Sequence, residues 1–461
     1  MRYISTRGAA PALNFEEVVL AGLASDGGLY VPESIPQLSM PEIAAMRGLS
    51  YPDLAYNIIS RFTGETIDAG ALSQIIADAY GEFRHEAIAP LKQLDAHTYL
   101  LELFHGPTLA FKDFALQFLG RLLGHILEKK QQKVVVIGAT SGDTGSAAIV
   151  GCAGRGSMDI VILYPKGRVS DVQRRQMTTV ADKNVHNLAV DGTFDDCQDM
   201  VKALFNDAAF REKHHLTAVN SINWARILAQ VVYYFYAALS LGAPARTISF
   251  AVPTGNFGDI YAGYIAKRMG LPIAQLIIAT NKNDILARTI ATGTYGMSGV
   301  SPSLSPSMDI QISSNFERLL FDLHGRDGAK INKIMQGFRD TKSLALEPAA
   351  YVQLTREFAS ASCNDEETLA TIKACYEATG ELLDPHTAVG LQVAGRCRAD
   401  LATPVVVLAT AHPAKFPDAV KKATGLAPAL PAHLADLFER RERMQDVAND
   451  VAAVKAVIEK L

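Results

Sequence analysis

The sequence has few cysteines and no marked excess of charge of either sign. Its five cysteines are scattered and never form a Cys-x-x-Cys pair, which argues against disulfides and a zinc site and favours reduced thiols in the cytoplasm. With 44 Lys+Arg against 48 Asp+Glu, the net charge of −4 indicates no basic surface for nucleic acid. The first eight residues contain no apolar run, so we expect no secretory signal.

Long hydrophobic runs are also scarce. One uncharged stretch, residues 227–245, is long enough to span a bilayer. It nevertheless contains Gln230, three tyrosines and Ser240, and it closes at a Gly-Ala-Pro sequence. We therefore predict a helix buried inside a large protein, and no membrane association.

The composition is that of a well-packed globular protein, since 49% of the residues are hydrophobic and 20% are charged. The length of 461 residues suggests about two to four domains. Amphipathic patterns with Pro-rich and Gly-rich loops predict an N-terminal helical portion over residues 1–95. An α/β domain is predicted over residues 96–245, and a second α/β domain over residues 246–461, which includes a C-terminal helix.

Short apolar runs that end in Gly, Pro or small residues predict buried strands separated by helices. Such an alternation favours an α/β fold with parallel sheets covered on both faces. The Gly- and Pro-rich stretch 292–306 predicts a long loop, of the kind that is usually functional or mobile. An apolar stripe over the last ~30 residues predicts a helix docked on its own domain, in preference to a dimer zipper. The predicted strands cover residues 133–138, 159–165, 247–252, 275–280 and 404–409.

Lys112 is the first residue with a chemical signal. It follows a Gly-Pro turn and stands between apolar and aromatic residues, in the sequence His-Gly-Pro-Thr-Leu-Ala-Phe-Lys. Partial desolvation of its amine would disfavour the ammonium form and produce a nucleophile. The same pattern also fits a surface lysine at the start of a helix, with Asp113 in the first turn.

Two glycine-rich loops each follow a predicted strand and open a helix. Residues 138–145 (Gly-Ala-Thr-Ser-Gly-Asp-Thr-Gly) match neither a dinucleotide fingerprint nor a Walker A loop. They fit an anion site at a helix N-terminus, or a tight turn with Ser/Thr capping. Residues 255–258 (Gly-Asn-Phe-Gly) have the spacing of a phosphate cradle built from backbone amides.

Two further groups of polar residues complete the chemical pattern. Asn220, Ser221, Asn223 and Arg226 stand at the head of the uncharged helix and can recognise an oxyanion, although N-capping beside a surface arginine fits them too. Thr410 follows a predicted strand, at the end where α/β folds place ligands. A phosphorylated aldehyde cofactor would need both a phosphate cradle and an amine. The two glycine-rich loops and Lys112 are therefore stronger evidence together than any of them is alone.

Together these segments resemble the threonine synthase family, in its longer bacterial and fungal branch. The resemblance extends in order from the first residues to about residue 422. It is carried by residues 1–8, 26–32 (Asp-Gly-Gly-Leu-Tyr-Val-Pro), 105–113, 141–145, 255–259 and 410–416 (Thr-Ala-His-Pro-Ala-Lys-Phe).

The resemblance implies a fold type II enzyme with pyridoxal 5′-phosphate (PLP) between two α/β domains. Lys112 would be the Schiff-base lysine, and Thr410 would face the pyridine nitrogen. Many fold type II relatives carry Asn where Asp143 stands, whereas the branch resembled here carries Asp. The remaining implied sites are the cofactor phosphate at Gly255, Asn256, Phe257, Gly258 and Asp259, the cofactor O3′ side at Asp143, the substrate carboxylate at Ser141, Gly142 and Thr144, and the substrate phosphate at Asn220, Ser221 and Arg226.

The implied reaction converts O-phospho-L-homoserine and water to L-threonine and phosphate, with Lys112 as the base that removes the α-proton. We expect a small-molecule enzyme, monomeric or homodimeric, without nucleic-acid or membrane partners. Two other functions are compatible with the residues: another fold type II lyase acting on serine, threonine or cysteine precursors, and a catalytically silent regulator. The first needs no oxyanion site at residues 220–226, and the presence of Lys112 argues against the second.

Overall fold

The computed structural model describes residues 1–218 and 221–461. Helices form where capping signals and apolar spacing coincide: α1, for example, begins after a capping box in which Asn14 and Glu17 satisfy each other's backbone N–H groups. The helices are α1 Phe15–Ala21, α2 Met40–Ala45, α3 Tyr51–Thr63, α4 Ala69–Tyr80, α5 Lys112–Lys130, α6 Asp143–Cys152, α7 Asp171–Thr178, α8 Phe194–Asn206, α9 Ala208–Lys213, α10 Trp224–Ser240, α11 Gly258–Arg268, α12 Ile285–Thr292, α13 Phe316–Leu323, α14 Gly328–Thr341, α15 Pro348–Glu357, α16 Asp365–Thr379, α17 Pro385–Cys397, α18 Pro417–Thr424 and α19 Val451–Ile458. Short 3-10 turns occur at Pro306–Met308, Pro413–Lys415 and Ala432–Leu434.

The strands include all five that the sequence predicts, each within two residues at either end. They are β1 Tyr3–Ser5, β2 Tyr30–Pro32, β3 Leu91–Gln93, β4 Thr98–Glu102, β5 Val134–Ala139, β6 Met158–Pro165, β7 Val185–Val190, β8 Leu216–Thr217, β9 Ile248–Pro253, β10 Ile273–Thr280, β11 Thr294–Gly296, β12 Ser343–Ala345, β13 Phe358–Ser362, β14 Val405–Ala409 and β15 Gln445–Val447. Every residue of β6 and β9 is buried, as expected for parallel strands covered by helices on both faces.

Two parallel sheets form the framework, which confirms the predicted α/β fold. The larger has the order β13-β10-β9-β14-β4-β3, with β3 antiparallel at one edge. The smaller has the order β15-β7-β6-β5-β8 and is parallel throughout. Within a parallel sheet the carboxyl ends of the strands share one edge, so the loops after β9 and β14 emerge together.

Each of the two sheets combines strands from distant parts of the chain. Strand β4 lies between β14 and β3 in the larger sheet, although it precedes the whole of the smaller one. Strand β15 returns from the C-terminal region to the edge of the smaller sheet. The chain therefore crosses between the two sheets more often than three consecutive segments would require, and the division at 95 and 245 stays a prediction.

The prediction of one helix over the last ~30 residues is wrong in extent. The α-helix there is limited to α19, and the preceding residues Gln445–Val447 form β15, in which Val447 lies opposite Val190 of β7. The edge of the smaller sheet offers unpaired backbone groups, and pairing with them outweighs the helical pattern. Helix α19 packs on its own chain as predicted, because Val454 and Ile458 are buried against the same sheet.

The uncharged stretch forms α10, which is buried within the protein as predicted. Residues from Trp224 to Leu239 are almost all inaccessible, and the helix packs against α3, α5 and α11. In the described residues, no helix combines the length and hydropathy that a membrane span requires.

Helices α5 and α6 approach so closely that two glycines are required at their crossing. A Cβ atom added to Gly120 would overlap the carbonyl of Gly151, and one added to Gly151 would overlap the carbonyl of Leu116. Because α5 begins at Lys112 and α6 begins at Asp143, this contact sets the separation of those two side chains.

Replacing Gly120 with Ala is expected to lower the free energy of unfolding by about 1–3 kcal/mol, because the added methyl group forces the helices apart. Urea denaturation followed by circular dichroism measures the effect. Gly337→Ala is the matched control: this helical glycine is exposed with no neighbour near its missing Cβ, so the change should be neutral or stabilise by up to about 1 kcal/mol. Equal stability of both variants would contradict the helix contact.

Candidate active site

Lys112 has the environment of a reactive amine. Its side chain is 11% exposed, and its Nζ lies 3.6 Å from Asp143 Oδ2 and 5.5 Å from the ring centroid of Phe111. Burial lowers the pKa of Lys112 below its ordinary value; Asp143 opposes this shift, whereas Lys415 and Arg226 reinforce it. The side chain is thus not an exposed surface lysine, and it loses its proton more readily than one.

The loop before Lys112 is held by Asp113, the next residue of α5. Its carboxylate accepts hydrogen bonds from Thr108 N at 2.8 Å and Thr108 Oγ1 at 2.7 Å, and burial raises the pKa of Asp113 to about 6. A Cβ atom at Gly106 would stand 2.5 Å from Asp113, so the turn requires glycine there. Phe111 N donates to the Thr410 carbonyl at 2.9 Å, which places the loop after β14 beside Lys112.

Asp143 is the buried carboxylate of the site. Oδ1 accepts from Lys415 Nζ and from Gln173 Nε2, each at 2.9 Å, whereas Oδ2 accepts from Ser307 Oγ at 3.1 Å. Burial alone would raise the pKa of Asp143, but the Lys415 and Lys112 cations outweigh it and hold the pKa far below its usual range. Asp143 is therefore ionised at neutral pH.

The β5–α6 loop presents a set of small polar groups next to Asp143. Thr140 Oγ1 accepts from Gly142 N at 3.0 Å and from Gly145 N at 2.9 Å, which curls the loop around the start of the helix. Gly142 has φ +138°, and a Cβ there would overlap the side chain of Gln173. Ser141 and Thr144 are half-buried at this helix N-terminus, where a carboxylate can bind.

The β9–α11 loop forms a second helix N-terminus with the geometry of an anion cradle. Phe257 adopts a left-handed conformation with φ +66°, and Gly258 N bonds to Asn256 Oδ1 at 3.0 Å. A Cβ at Gly255 would stand 2.9 Å from Ile310, and one at Gly258 would stand 3.2 Å from Asn256 Oδ1. The loop is thus packed closely against its neighbours and requires small residues at both positions, which lets its backbone N–H groups converge at the helix end.

Asp259 follows this cradle, but its carboxylate is turned into the core. Oδ1 accepts from Tyr233 at 2.5 Å and from Tyr234 at 2.9 Å, both on α10. Burial raises the pKa of Asp259 to about 6. The side chain anchors the cradle to α10, and only the backbone N–H of Asp259 remains as a group that can face an anion.

Arg226, in the first turn of α10, is buried without protein partners for much of its guanidinium. It is 4% exposed, and neither Nε nor Nη1 has a hydrogen-bond partner among the residues that the structure describes. Burial lowers the pKa of Arg226 to about 10, so the group stays cationic at neutral pH. A buried cation without partners strongly favours an anionic ligand.

The predicted phosphate group at the head of α10 is only partly visible. Asn220 lies outside the described residues. Ser221 is half-buried, with its Oγ 3.4 Å from Ser314 Oγ, and its carbonyl accepts from Asn315 Nδ2 at 3.2 Å. Since Asn315 also donates to the Asn256 carbonyl, Ser221 lies next to the cradle.

Sequence reasoning missed several groups that shape the site. Lys415 lies in the 410–416 motif, but the sequence leaves open how substrate contacts divide among Ser141, Thr144 and Lys415; in the structure Lys415 is fully buried and joins Asp143 to the Thr108 carbonyl, which it contacts at 2.6 Å. Gln173 and Ser307 carry no signal of a site in the sequence. The capping box at Ser170 and Gln173 signals only a helix start, and Ser307 lies in a loop without a motif. Proximity to Asp143 could not be inferred from either pattern.

Three family models match successive parts of the chain. The model described as threonine synthase N terminus covers residues 2–80, that of pyridoxal-phosphate dependent enzymes covers residues 83–337, and that described as threonine synthase, C-terminal, covers residues 387–458.

Whole proteins match over their full length. The chain is 58% identical to a threonine synthase of Pseudomonas aeruginosa over 99% of this chain and 98% of that one. The crystal structure of a PLP-bound threonine synthase from Brucella melitensis superposes with a TM-score of 0.98 at 54% identity, covering 100% and 99% of the two chains. The yeast threonine synthase structure gives a TM-score of 0.95 at 43% identity, covering 100% and 98%.

If residues 255–258 hold the phosphate of PLP, Gly258→Val should weaken cofactor binding, because the branched side chain would crowd Asn256 and Asn315 and displace the loop from the helix end. Cofactor content after dialysis, measured by absorbance, is expected to fall strongly while the circular dichroism of the protein stays unchanged. Gly156→Val, at an open turn, is the control and should retain the cofactor. Equal retention by both variants would exclude this loop as the cradle.

Proposed function

The chain belongs to the threonine synthase family of PLP-dependent enzymes, and from this premise we propose which of its residues carry the reaction. The enzyme converts O-phospho-L-homoserine and water to L-threonine and phosphate. When bound, PLP supplies a conjugated ring that delocalises charge from the substrate carbons. The remaining tasks fall to the protein: to hold the cofactor, move protons and bind a second phosphate.

Lys112 is the proposed attachment point for PLP, and the β9–α11 loop is the proposed cradle for its phosphate. The backbone N–H groups of residues 255–259 would hold that phosphate at the start of α11, where the helix dipole favours negative charge. The fit is supported by the compact form of this loop, in which Phe257 is left-handed and Gly255 and Gly258 stand where a Cβ atom would crowd neighbouring atoms. Thr410 is assigned to the pyridine nitrogen. In support, its carbonyl accepts a hydrogen bond from the backbone N–H of Phe111, the residue before Lys112.

Proton transfer is assigned to the Lys112 amine. Its lowered pKa increases the fraction of neutral amine, which is the form that accepts a proton from the substrate α-carbon. Asp143 is assigned to the O3′ side of the cofactor, where its negative charge favours a proton on its neighbours. The substrate carboxylate is assigned to Ser141, Gly142 and Thr144 at the start of α6.

The substrate phosphate is assigned to Arg226 together with Ser221 and Asn220. The single observation that carries the assignment is the buried guanidinium of Arg226, whose Nε and Nη1 have no partner in the described chain. The cradle at α11 is assigned to the cofactor phosphate and the start of α6 to the substrate carboxylate, so a third anion site is needed only by a substrate that carries its own phosphate. Other fold type II lyases have no such requirement.

We also propose that the protein acts in the cytoplasm on its small-molecule substrate, as a monomer or homodimer, without nucleic-acid or membrane partners. All five cysteines are free thiols, which suits a reducing compartment. The net charge of −4 supports the absence of a nucleic-acid role.

Purified protein should release phosphate from O-phospho-L-homoserine and form threonine, identified by mass spectrometry. Lys112→Ala should abolish this activity and the covalent attachment of PLP after borohydride reduction, because the attaching amine and the base are both lost. The exposed Lys333→Ala serves as the control and should retain both. Recovery of the reduced cofactor on a peptide containing Lys415 or Lys282 would refute the assignment of Lys112.

Arg226→Lys should lower kcat/KM by about 10–100-fold, because an ammonium keeps the charge but loses the two-pronged contact with phosphate. PLP binding should stay normal, since the residue is assigned to the substrate. Inorganic phosphate should inhibit the variant less than the wild type, whereas the exposed Arg339→Lys should behave as wild type. If phosphate inhibits Arg226→Lys and wild type equally, Arg226 does not bind the leaving phosphate.

A further inference from the structure

Asp143 divides its hydrogen bonds unequally between its two oxygens. Oδ1 contacts Lys415 and Gln173, whereas Oδ2 lies 3.6 Å from Lys112 Nζ and accepts from Ser307 Oγ at 3.1 Å. Ser307 thus supplies a neutral donor to the oxygen that faces the reactive amine. A hydroxyl in this position draws charge from Oδ2 and fixes the rotation of the carboxylate.

The backbone N–H of Ser307 is hydrogen-bonded to a buried histidine. Ser307 N donates to His386 Nε2 at 3.2 Å, and His386 Nδ1 lies 2.7 Å from Asp384 Oδ1. The Asp384 carboxylate selects the tautomer that carries its proton on Nδ1, which leaves the Nε2 lone pair free to accept from Ser307. Both residues are nearly inaccessible, at 3% and 1% exposure, so the arrangement is fixed by packing.

The same loop also borders the proposed cofactor cradle. A Cβ atom at Gly255 would lie 3.2 Å from the Ser307 carbonyl, and Ser313 Oγ donates to the Gly255 carbonyl at 2.6 Å. Residues 307–313 therefore contact the α11 loop on one side and Asp143, at the start of α6, on the other. The long loop after β11 therefore connects the α11 loop with Asp143 at the site.

We propose that Ser307 is a positioning residue, held by His386 and Asp384, that sets the charge and orientation of Asp143 toward Lys112. This inference rests on the proposed attachment of PLP to Lys112. Its effect on catalysis is indirect, through the proton affinity of the nitrogen at Lys112. The charged groups that act on that nitrogen are Asp143, Lys415 and Arg226, of which Asp143 alone is contacted by Ser307.

The test compares four variants of the full-length, PLP-loaded protein by the pH midpoint of its visible absorbance. Ser307→Ala should raise the midpoint by about one pH unit, because Oδ2 keeps more negative charge and favours the protonated nitrogen. It should also lower kcat about tenfold with little change in KM. Ser307→Thr, which retains the hydroxyl, should restore both. Ser301→Ala, at an exposed serine of the same loop that bonds through its backbone, should match the wild type.

His386→Phe removes the acceptor for Ser307 N and should shift the midpoint in the same direction.

An unchanged midpoint in Ser307→Ala would overturn the proposal. Equal losses in Ser307→Ala and Ser307→Thr, accompanied by a lowered melting temperature, would assign the serine a structural role and overturn it as well. If the wild type released no phosphate from O-phospho-L-homoserine but Ser307→Ala still raised the midpoint, the reaction assigned above would fail and the positioning role would stand.

Discussion

The active site depends on one buried carboxylate. Asp143 contacts two lysines that reach it from opposite directions along the chain, and these contacts keep it ionised despite complete burial. Buried ion pairs of this kind contribute little net stability, but breaking one by removing a partner costs about 3–5 kcal/mol. The ion pair between Asp143 and Lys415 therefore holds these side chains in position more than it stabilises the fold. Their position in turn determines the electrostatic environment of the Lys112 amine.

The same charges make the site selective for anions. Lys112, Lys415 and Arg226 are buried cations within one electrostatic environment, and Asp143 is the carboxylate that contacts two of them. Two nitrogens of the buried Arg226 guanidinium have no partner among the described residues, which is unfavourable unless an anion binds there. A cofactor and a substrate that both carry phosphate would compensate these buried positive charges. Ligand binding is therefore coupled to charge compensation in the site.

The architecture explains why the functional groups meet where they do. Parallel strands deliver their loops to one edge of each sheet, and each loop opens a helix whose N-terminus attracts negative charge. Asp143 and Gly258 begin such helices after β5 and β9, and Thr410 directly follows β14. Two anion subsites consequently arise from backbone geometry, and side chains such as Arg226 add the specificity that backbone amides lack.

The sequence by itself determined the local features: the five strands, the buried helix α10 and the glycine loops at strand–helix junctions; it also supplied the hypothesis that Lys112 is the reactive amine. Each is encoded within about a dozen residues, as a periodicity, a turn signal or a motif shared with a family. The extent of the C-terminal helix could not be predicted this way, because β15 forms only where β7 offers a partner edge.

Only the tertiary structure decided which residues surround Asp143. Gln173 and Ser307 reach it from 30 and 164 positions away, and His386 acts through Ser307. The tertiary structure likewise turned the Asp259 carboxylate toward two tyrosines of α10. Contacts between distant residues follow from how the sheets and helices are placed against one another. That placement is fixed by packing of the whole core, which leaves no periodic signal along the chain.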